Sequence, residues 1–404
     1  MPTSVTTTGS ITNKVFSVAL FNESIRRGTF RKNLTGPAPK QDAAGQKMRG
    51  QSPPDMPFVN ITDLSKGPGD RVSVDLFNII GGRPTMGDRK LAGRMMGLSF
   101  SSMEIVINQC RGGVDPGGRM SQQRTKHELR MVAKDNLAGW NARLYDQLAM
   151  VHVAGARGTQ SDNEWIVPLA SDSEFNDICV NPVLAPTRNR RFFAGDATSV
   201  TDLDTADILT LDNIDRIRMT LDELPFTLQP IKLEGDVAAE DSPLYALYVT
   251  SRVWFNLERS TTGQNWRTFL AEAQARSKGF NHPLFLGDTG VWAGMVIKKM
   301  RRAIRFATGD TVVEYDASDV AQNVTAAVGF DRCFLLGGQA LGIAYGRGNN
   351  GYYFSWHEET TDHGNITEVS SASMSGMAKV RFTGTDGAPT DHGVATIDCY
   401  APAT

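Results

Sequence analysis

Six histidines are the side chains in this sequence best suited to bind a metal or to move a proton near neutral pH. They are His127, His152, His282, His357, His363 and His392. None belongs to an H-E-x-x-H motif, because the residues that follow His357 are Glu-Glu-Thr-Thr. His127 and His152 are predicted to lie on the surface of a helix. The histidines therefore predict neither a metal site nor a general base.

The cysteines carry no recognisable chemistry either. They are Cys110, Cys179, Cys333 and Cys399, without a C-x-x-C pair. This wide scatter is typical of reduced thiols in a cytosolic setting rather than of a disulfide scaffold. No G-x-S-x-G nucleophile elbow occurs in the sequence. We therefore predict no catalytic residue, no cofactor and no enzyme activity.

Two glycine-rich segments and one acidic segment resemble ligand loops only in part. Residues 113–118 have the glycine spacing of a phosphate-binding loop, but Arg-Met follows them in place of Lys and Ser or Thr. The glycines of 337–348 lack a G-x-G-x-x-G fingerprint and predict close helix packing. Asp202, Asp204 and Asp207 lack the frame of a calcium loop, so we predict a solvated acidic loop.

A cluster of basic residues lies between positions 298 and 305. Its members are Lys298, Lys299, Arg301, Arg302 and Arg305. Such a cluster can bind nucleic acid, but it lacks the aromatic stacking platform of single-strand binders. We interpret it as a subunit contact or as a surface that faces DNA weakly.

Composition predicts an ordinary globular protein. The chain has 404 residues, 40% hydrophobic and 21% charged, which is enough for two domains or more. The formal net charge of −2 gives no overall case for binding nucleic acid or membranes. No secretion signal is visible, and the most apolar window, 328–346, contains Asp331 and Arg332. We expect a soluble cytoplasmic product.

The segment 71–108 is the most informative element. Polar and apolar residues alternate over 71–76, and again over 98–100 and 103–108, with a slip at Ser101-Ser102 that predicts a β-bulge. About 17 residues join the two runs, with five glycines and one aspartate. Hairpins usually close in 2–5 residues, so something outside the domain must hold this connection. Its basic residues are Arg83, Arg89, Lys90 and Arg94.

The preceding segment, 1–66, is basic and poor in apolar residues. Residues 1–60 contain eight basic and three acidic side chains, a net charge of +5. Only residues 15–21 are clearly apolar, so the segment cannot form a core by itself. It is predicted to be an extended arm, and a floppy basic tail is the alternative.

A long helix is predicted over 121–153. One apolar stripe recurs at spacings of three to five residues from Leu129 to Val151, and Ser121 is a candidate N-cap. The helix would be about 50 Å long. A coiled-coil dimer is the alternative, but the stripe is wider than a coiled-coil seam.

The remaining elements alternate irregularly and predict an α+β fold. Helices are predicted at 211–224, 251–259, 266–276 and 338–345. Strands are predicted at 244–250, 291–298, 332–336, 352–356, 374–382 and 393–400.

The order of these elements resembles the major capsid proteins of tailed bacteriophages. Residues 66–72, KGPGDRV, are similar to the G-x-G-D-x-V entry of the capsid family typified by the podovirus-type phage N-four. GRMSQQR at 118–124 leads into a helix with AGW at 138–140, as in that family. FLLGGQAL at 334–341 and WHEETTDHGN at 356–365 resemble the family's strand-to-helix step and its acidic turn. Together these phrases span about 65–400.

The resemblance implies an HK97-like fold and a division of the chain into five parts. These are an N-terminal arm (1–66), an E-loop hairpin (67–110), a P-domain with the spine helix at 121–153 (111–200), an A-domain (201–350) and C-terminal strands that return to the P-domain (351–404).

The implied function is self-assembly into the hexamers and pentamers of an icosahedral phage head that encloses double-stranded DNA. The implied partners are the chain itself, portal and scaffolding or decoration proteins, and packaged DNA through weak non-specific contact, with no membrane. The protein would be part of the virion after assembly in the host cytoplasm, with the basic residues of 83–94 in subunit contacts. Two alternatives stay open: an α+β enzyme with a lid at 81–97, and a nucleic-acid-binding protein that uses the basic N-terminal segment.

Overall fold

A computed structural model describes most of the chain and assigns it to helices and strands. The described residues are 30–36, 55–62, 69–77, 83–95, 100–124, 128–160, 164–224, 226–233, 244–279, 282–285, 287–346, 354–383 and 387–401.

The helices of the described residues are α1 (Phe30–Leu34), α2 (Arg119–Arg124), α3 (Leu129–Ala154), α4 (Phe175–Cys179), α5 (Leu211–Glu223), α6 (Ser251–Ser260) and α7 (Gly263–Gly279). The strands are β1 (Phe58–Ile61), β2 (Arg71–Phe77), β3 (Phe100–Val106), β4 (Asn108–Val114), β5 (Arg191–Phe193), β6 (Tyr245–Thr250), β7 (Thr289–Trp292), β8 (Met295–Met300), β9 (Ile304–Phe306), β10 (Thr311–Tyr315), β11 (Ala321–Thr325), β12 (Phe330–Leu336), β13 (Leu341–Tyr345), β14 (Phe354–Thr361), β15 (Ile366–Lys379), β16 (Arg381–Thr383), β17 (Pro389–Asp391) and β18 (Val394–Tyr400). This mixture of elements confirms the α+β class.

The larger sheet has helices on both faces. Its seven strands run in the order β5-β18-β12-β6-β8-β7, with β9 beside β12. Successive side chains of a strand point to opposite faces, and along β6 this alternation places Leu247 and Val249 against α5, α6 and α7. Ala246 and Tyr248 lie on the other face in the core that contains α3. Both faces are therefore buried, as the unbroken burial of β6 and β12 shows.

The smaller sheet lies against the long helix α3. Its strands follow the order β1-β13-β15-β14, and β4 pairs with β15. The buried Tyr145 of α3 shares its hydroxyl with Ser373 and Ser375 of β15, at 2.7 Å in each case. Asn141, one turn earlier, donates to the Ser371 hydroxyl at 3.1 Å. Buried hydroxyls and amides that pair in this way fix the register of the helix on the sheet.

The long helix is shorter than predicted. Arg119–Arg124 forms a separate helix, and Glu128 has extended backbone angles (φ −76°, ψ 96°), so the prediction of one helix over 121–153 is wrong at its start. The 26 residues of α3 span about 39 Å. Its end agrees with the sequence, since Gly155 adopts φ 66° and a Cβ there would lie 2.2 Å from the Leu184 carbonyl oxygen.

Three predictions about secondary structure are wrong. The predicted strand 291–298 is the hairpin of β7 and β8, which turns at Ala293 (φ 49°) and Gly294 (φ 76°). The predicted helix 338–345 contains β13, a buried strand between β1 and β15. The β2–β3 register runs through Ser101 and Ser102 without a bulge.

Three predictions about individual residues are wrong as well. His152 is buried in α3 rather than on its surface, and burial lowers its pKa to about 4. Asp207 is buried and accepts the backbone N–H groups of Asp196 and Asp204, so it is not a solvated residue. Gly342 packs against a strand rather than a helix, since a Cβ there would meet the Ile105 side chain at 2.6 Å. His127 lies outside the described residues.

The N-terminal segment is described only at 30–36 and 55–62. Phe30 packs edge-on against Phe58 and Tyr248, with ring centroids 5.5 and 5.0 Å apart. The Phe30 and Arg31 N–H groups, at the start of α1, donate to the Asp146 carboxylate of α3. The prediction of an extended segment is therefore wrong at 30–34. Among the described helices, none has the length and apolarity needed to cross a bilayer.

Candidate subunit-interaction arm

The two-stranded arm, residues 71–77 and 100–106, is anchored at one end. Its strands pair antiparallel from Arg71–Val106 to Phe77–Phe100. Val72 and Ile105, near the body, are buried in a small apolar cluster with residues of β1, β13 and β15. Arg71 and Glu104 form an exposed ion pair at 3.1 Å, a type of contact that contributes little to stability. The arm is therefore held by apolar packing at its base.

The charged and large apolar side chains of the tip, residues 83–95, are all exposed to solvent. Met86, Leu91 and Met95 are 70%, 57% and 78% exposed. The basic residues of the tip are also exposed: Arg83, Arg89, Lys90 and Arg94. Several large exposed apolar side chains on one short segment are typical of an interaction surface. The tip thus combines adaptable apolar groups with positive charge.

Two glycines shape the turns of the tip. Gly87 and Gly93 adopt φ values of 65° and 79°, which favour glycine. A Cβ placed on either one would meet no heavy atom of the described residues within 4 Å. The glycines are therefore needed for backbone conformation and not for close packing.

The basic cluster at 298–305 has several acidic neighbours within the chain. Arg305 binds the buried Asp331 with two hydrogen bonds, at 2.5 and 2.7 Å. Lys299 lies 3.6 Å from Asp288, and burial lowers the pKa of Lys298. Arg301 and Arg302 approach Glu164 at 3.7 and 3.5 Å. Of the five, Arg301 is the most exposed at 90% of its side chain.

A buried ion cluster lies inside the larger sheet. Asp398 of β18 binds Arg332 of β12 at 2.7 and 2.9 Å and Arg191 of β5 at 2.8 Å. Burial alone would raise the pKa of Asp398, but the two guanidinium groups outweigh burial and hold the pKa below its usual range. Arg332 also donates to the Ala154 carbonyl at the end of α3. The cluster therefore ties the sheet to the long helix.

A second buried ion cluster is centred on Asp391. Lys379 and Arg381 bind its two carboxylate oxygens at 2.8 and 2.7 Å. Burial lowers the pKa of Lys379 to about 8, against the opposing effect of Asp391. Charged residues inside apolar strands, such as Arg332 in FDRCFLL, are the sequence signal that could have indicated these clusters.

The cavity beside β5 gives little support to the hypothesis that the protein is an enzyme. It has a volume of about 440 Å³, and its lining includes arginine and carboxylate side chains. Arg191 in its wall is already bound to Asp398, and Arg216 donates to the Gly195 carbonyl. Within the described ranges, no group of three or more His, Cys, Asp or Glu side chains could hold a metal ion.

Solved structures with the same architecture define the class of this protein. The capsid of Ralstonia phage GP4 superimposes with a TM-score of 0.72 at 27% identity, covering 90% of this chain and 94% of that chain. The Cyanophage Pam1 capsid asymmetric unit gives a TM-score of 0.58 at 20% identity over 87% and 90% of the chains, which supports the fold alone. The fold is that of an HK97-like capsid subunit.

Sequence comparison gives the family. A family model described as phage capsid protein matches residues 4–403. A major capsid protein of Pseudomonas phage KPP25 is 26% identical over 367 residues, 83% of this chain and 85% of that protein. The chain belongs to the phage capsid protein family, and it is a structural subunit of the virion of the major-capsid type. The predicted resemblance to phage major capsid proteins is confirmed, and the branch typified by phage N-four stays a prediction.

Proposed function

We propose that the chain builds the hexamers and pentamers of an icosahedral head by laying its two-stranded arm on a neighbouring copy. The main observation behind the proposal is the exposed tip, which bears three large apolar and four basic side chains. An arm of this kind gains its missing packing only from a second subunit.

The physical argument starts from the marginal stability of isolated ribbons. Two strands without a third layer are barely stable in water, and the described end of the ribbon at Phe100 is 69% exposed. Methionine fills irregular apolar gaps, and arginine or lysine can extend its apolar stem over a surface while its charge meets a carboxylate. Interfaces woven from such arms are large and obligate.

The division into domains follows from the same assignment. The E-loop is 67–110, with β4 joining the smaller sheet after the arm. The P-domain at 111–200 is built around α3, and the A-domain at 201–350 contributes most strands of the larger sheet. The strands of 351–404 support a return to the P-domain, since β15 pairs with β4 and lies under α3.

Further partners are proposed from the likeness to phage capsid proteins. Portal and scaffolding or decoration proteins, and packaged double-stranded DNA through weak contact, complete the assembly, which takes place in the host cytoplasm. The pairing of Arg302 and Arg305 with acidic residues of the chain argues for a subunit contact or a weak DNA contact at 298–305, not for tight DNA binding.

The test reverses the charge of the tip. Arg83, Arg89, Lys90 and Arg94 are replaced together by Glu, and the product is followed by size-exclusion chromatography and negative-stain microscopy. We expect soluble subunits with the wild-type circular dichroism spectrum and loss of shells, because the tip makes its contacts with another copy. A matched variant with Lys at the three arginine positions keeps the charge and should still assemble.

Two outcomes would contradict the proposal. Normal shells from the Glu variant would show that the tip is not a subunit contact. A wild-type protein that stays a small monomer or dimer and binds free DNA tightly, with strong dependence on salt, would instead favour a nucleic-acid-binding protein.

A further inference from the structure

The backbone hydrogen bonds at the base of the arm follow the usual alternation of an antiparallel pair. The Ile107 N–H donates to the Asp70 carbonyl at 2.9 Å. Opposed residues of an antiparallel ladder alternate between bonded and non-bonded pairs. The next pair, Arg71 and Val106, is therefore of the non-bonded type, and the N–H and C=O of Val106 point away from β2.

The side chain of Asn181 satisfies both of these groups. Its Oδ1 accepts the Val106 N–H at 2.9 Å, and its Nδ2 donates to the Val106 carbonyl at 2.9 Å. Nδ2 also donates to the Met377 carbonyl of β15 at 3.1 Å. Asn181 is buried. One amide side chain thus takes the place of a strand partner and joins the base of the arm to the smaller sheet.

The backbone of the arm also lies directly on β15. A Cβ placed on Gly376 would be 1.9 Å from the Val106 carbonyl oxygen. A Cβ on Gly346 would be 2.6 Å from Cδ1 of Ile107. At Gly376 the clash would be with backbone, so a side chain there would displace the base of the arm, whereas at Gly346, just after β13, the Ile107 side chain could move instead.

The turn that carries Asn181 is itself strained. Val180 has φ 61° and ψ −59°, and the Asn181 N–H donates to the Cys179 carbonyl at 2.6 Å, which makes a γ-turn with positive φ. A β-branched residue rarely adopts this conformation. The Cys179 carbonyl also accepts from Nε2 of the buried His152 at 3.3 Å. A continuous chain of contacts therefore runs from α3 through the turn to the arm.

We propose that Asn181 is a positioning residue that sets the angle at which the arm leaves the body, and that assembly requires this angle. The inference rests on the proposed function of the arm. Strain of this kind persists where the surroundings enforce it, and it clusters at sites that must be held in one geometry. The buried amide, the glycine contact and the strained turn all act on the same backbone unit, Val106.

The geometry of a lever makes the angle important. The seven residues of β3 extend about 20 Å from the base. A tilt of about 10° at Val106 would then move the far end of the strand by roughly 3–4 Å, on the strand rise of ~3.3 Å per residue. A displacement of that size exceeds the length of a hydrogen bond and would remove the tip from its contacts on the next subunit.

The test replaces Asn181 by Asp in the full-length chain. The change keeps one acceptor for the Val106 N–H but places a second oxygen against two carbonyl oxygens. Asn176→Asp, an exposed position five residues earlier in the same segment, is the matched control. Hydrogen exchange with residue resolution reports the Val106 amide, microscopy reports the yield of shells, and thermal unfolding reports the body.

For Asn181→Asp we expect the Val106 amide to exchange at least about tenfold faster. The yield of shells per folded subunit should fall by a similar factor. The unfolding midpoint should also fall relative to Asn176→Asp, because the change buries a carboxylate against two carbonyl oxygens. A purely structural role would lower the midpoint in the same way but leave the yield of shells per folded subunit intact.

Three results would overturn the inference. They are unchanged exchange at Val106, normal shells despite fast exchange, or a Val106 amide in the wild-type subunit that exchanges as fast as the Glu104 amide, which occupies the preceding outward position. The last measurement needs no variant, so it remains decisive if Asn181→Asp does not fold. Wild-type shells made in parallel separate this inference from the proposed function, which is contradicted by a wild type that does not assemble or by normal shells from the Glu variant of the tip.

Discussion

Charged residues have opposite environments in the arm and in the larger sheet. In the sheet, Asp398, Arg332 and Arg191 are buried and bound to one another. In the arm, the charges of the tip lie in solvent beside exposed methionines. The sheet therefore satisfies its polar groups within one chain, whereas the tip offers its groups to another chain.

This difference predicts that residues of the sheet determine the stability of the subunit and that residues of the tip determine its association. A residue of the sheet should change the free energy of unfolding, because its partners are intramolecular. A residue of the tip should change only assembly. The base of the arm lies between the two, since Ile105 is buried but belongs to the ribbon. Four changes test this division, in decreasing order of their effect on the free energy of unfolding.

The largest effect is expected for Asp398→Asn. The change leaves two buried guanidinium groups without a carboxylate, and removal of one partner from a buried ion pair typically costs about 3–5 kcal/mol. Urea unfolding of the unassembled subunit measures the loss. Asp88→Asn makes the same chemical change in the exposed tip and should cost almost nothing. Equal effects at both positions would contradict the division.

The second effect depends on pH and on His152. An unfolded histidine binds a proton below about pH 6.5, whereas folded His152 does so only near its pKa of about 4. The unfolded state binds more protons between these values, so stability falls as the pH is lowered through this window, by up to about 3 kcal/mol.

Replacement of His152 by Gln keeps a donor for the Cys179 carbonyl and removes the titration. The stability of this variant should therefore depend less on pH between 6.5 and 4 than that of the wild type. The exposed His357→Gln is the control and should retain the wild-type dependence. If stability depends on pH in the same way in the wild type and in His152→Gln, His152 is not the source of this pH dependence.

The third effect concerns the base of the arm. Ile105→Val removes the methyl group that lies against Gly342, and such truncations typically cost about 1 kcal/mol. Denaturant midpoints provide the measurement. Leu91→Ala at the tip, which removes more carbon from an exposed site, should leave the midpoint unchanged. A larger loss at Leu91 would indicate that the tip packs on its own subunit.

The smallest effect on stability is expected when Met86, Leu91 and Met95 are all replaced by Ser. Exposed positions usually change the free energy of unfolding by no more than about 0.5 kcal/mol. Shell formation, scored by microscopy, should nevertheless be lost because the interface loses its apolar anchors. Met219→Ser on α5, also exposed, is the control and should assemble. Shells with the triple variant would restrict the contact to the charges of the tip.

Sequence patterns predicted the elements whose signal is local. The helix at 211–224 follows its apolar stripe and appears as α5, and the end of α3 follows from Gly155. The arm was predicted from alternation alone and is present as β2 and β3. In each case, residues that are close in sequence determine the structure.

The failures involve partners that are distant in sequence. Leu341–Tyr345 is a short apolar run, and periodicity cannot distinguish a buried strand from a helix in such a run. Its parallel neighbour β1, from residues 58–61, makes it a strand. Asn181 has no local motif, since its function depends on Val106 and Met377, which come from two other parts of the chain.

The central place of β18 in the larger sheet has a consequence for biosynthesis. β18 lies between β5 and β12, so the sheet cannot close until residues 394–400 have been translated. The arm is complete nearly three hundred residues earlier, which at ~5–20 residues per second is roughly 15–60 s. During that interval each nascent chain carries an apolar, basic tip without a folded body to receive it. Ribosomes that share one messenger hold several such tips close together, so association between incomplete chains competes with folding of the body.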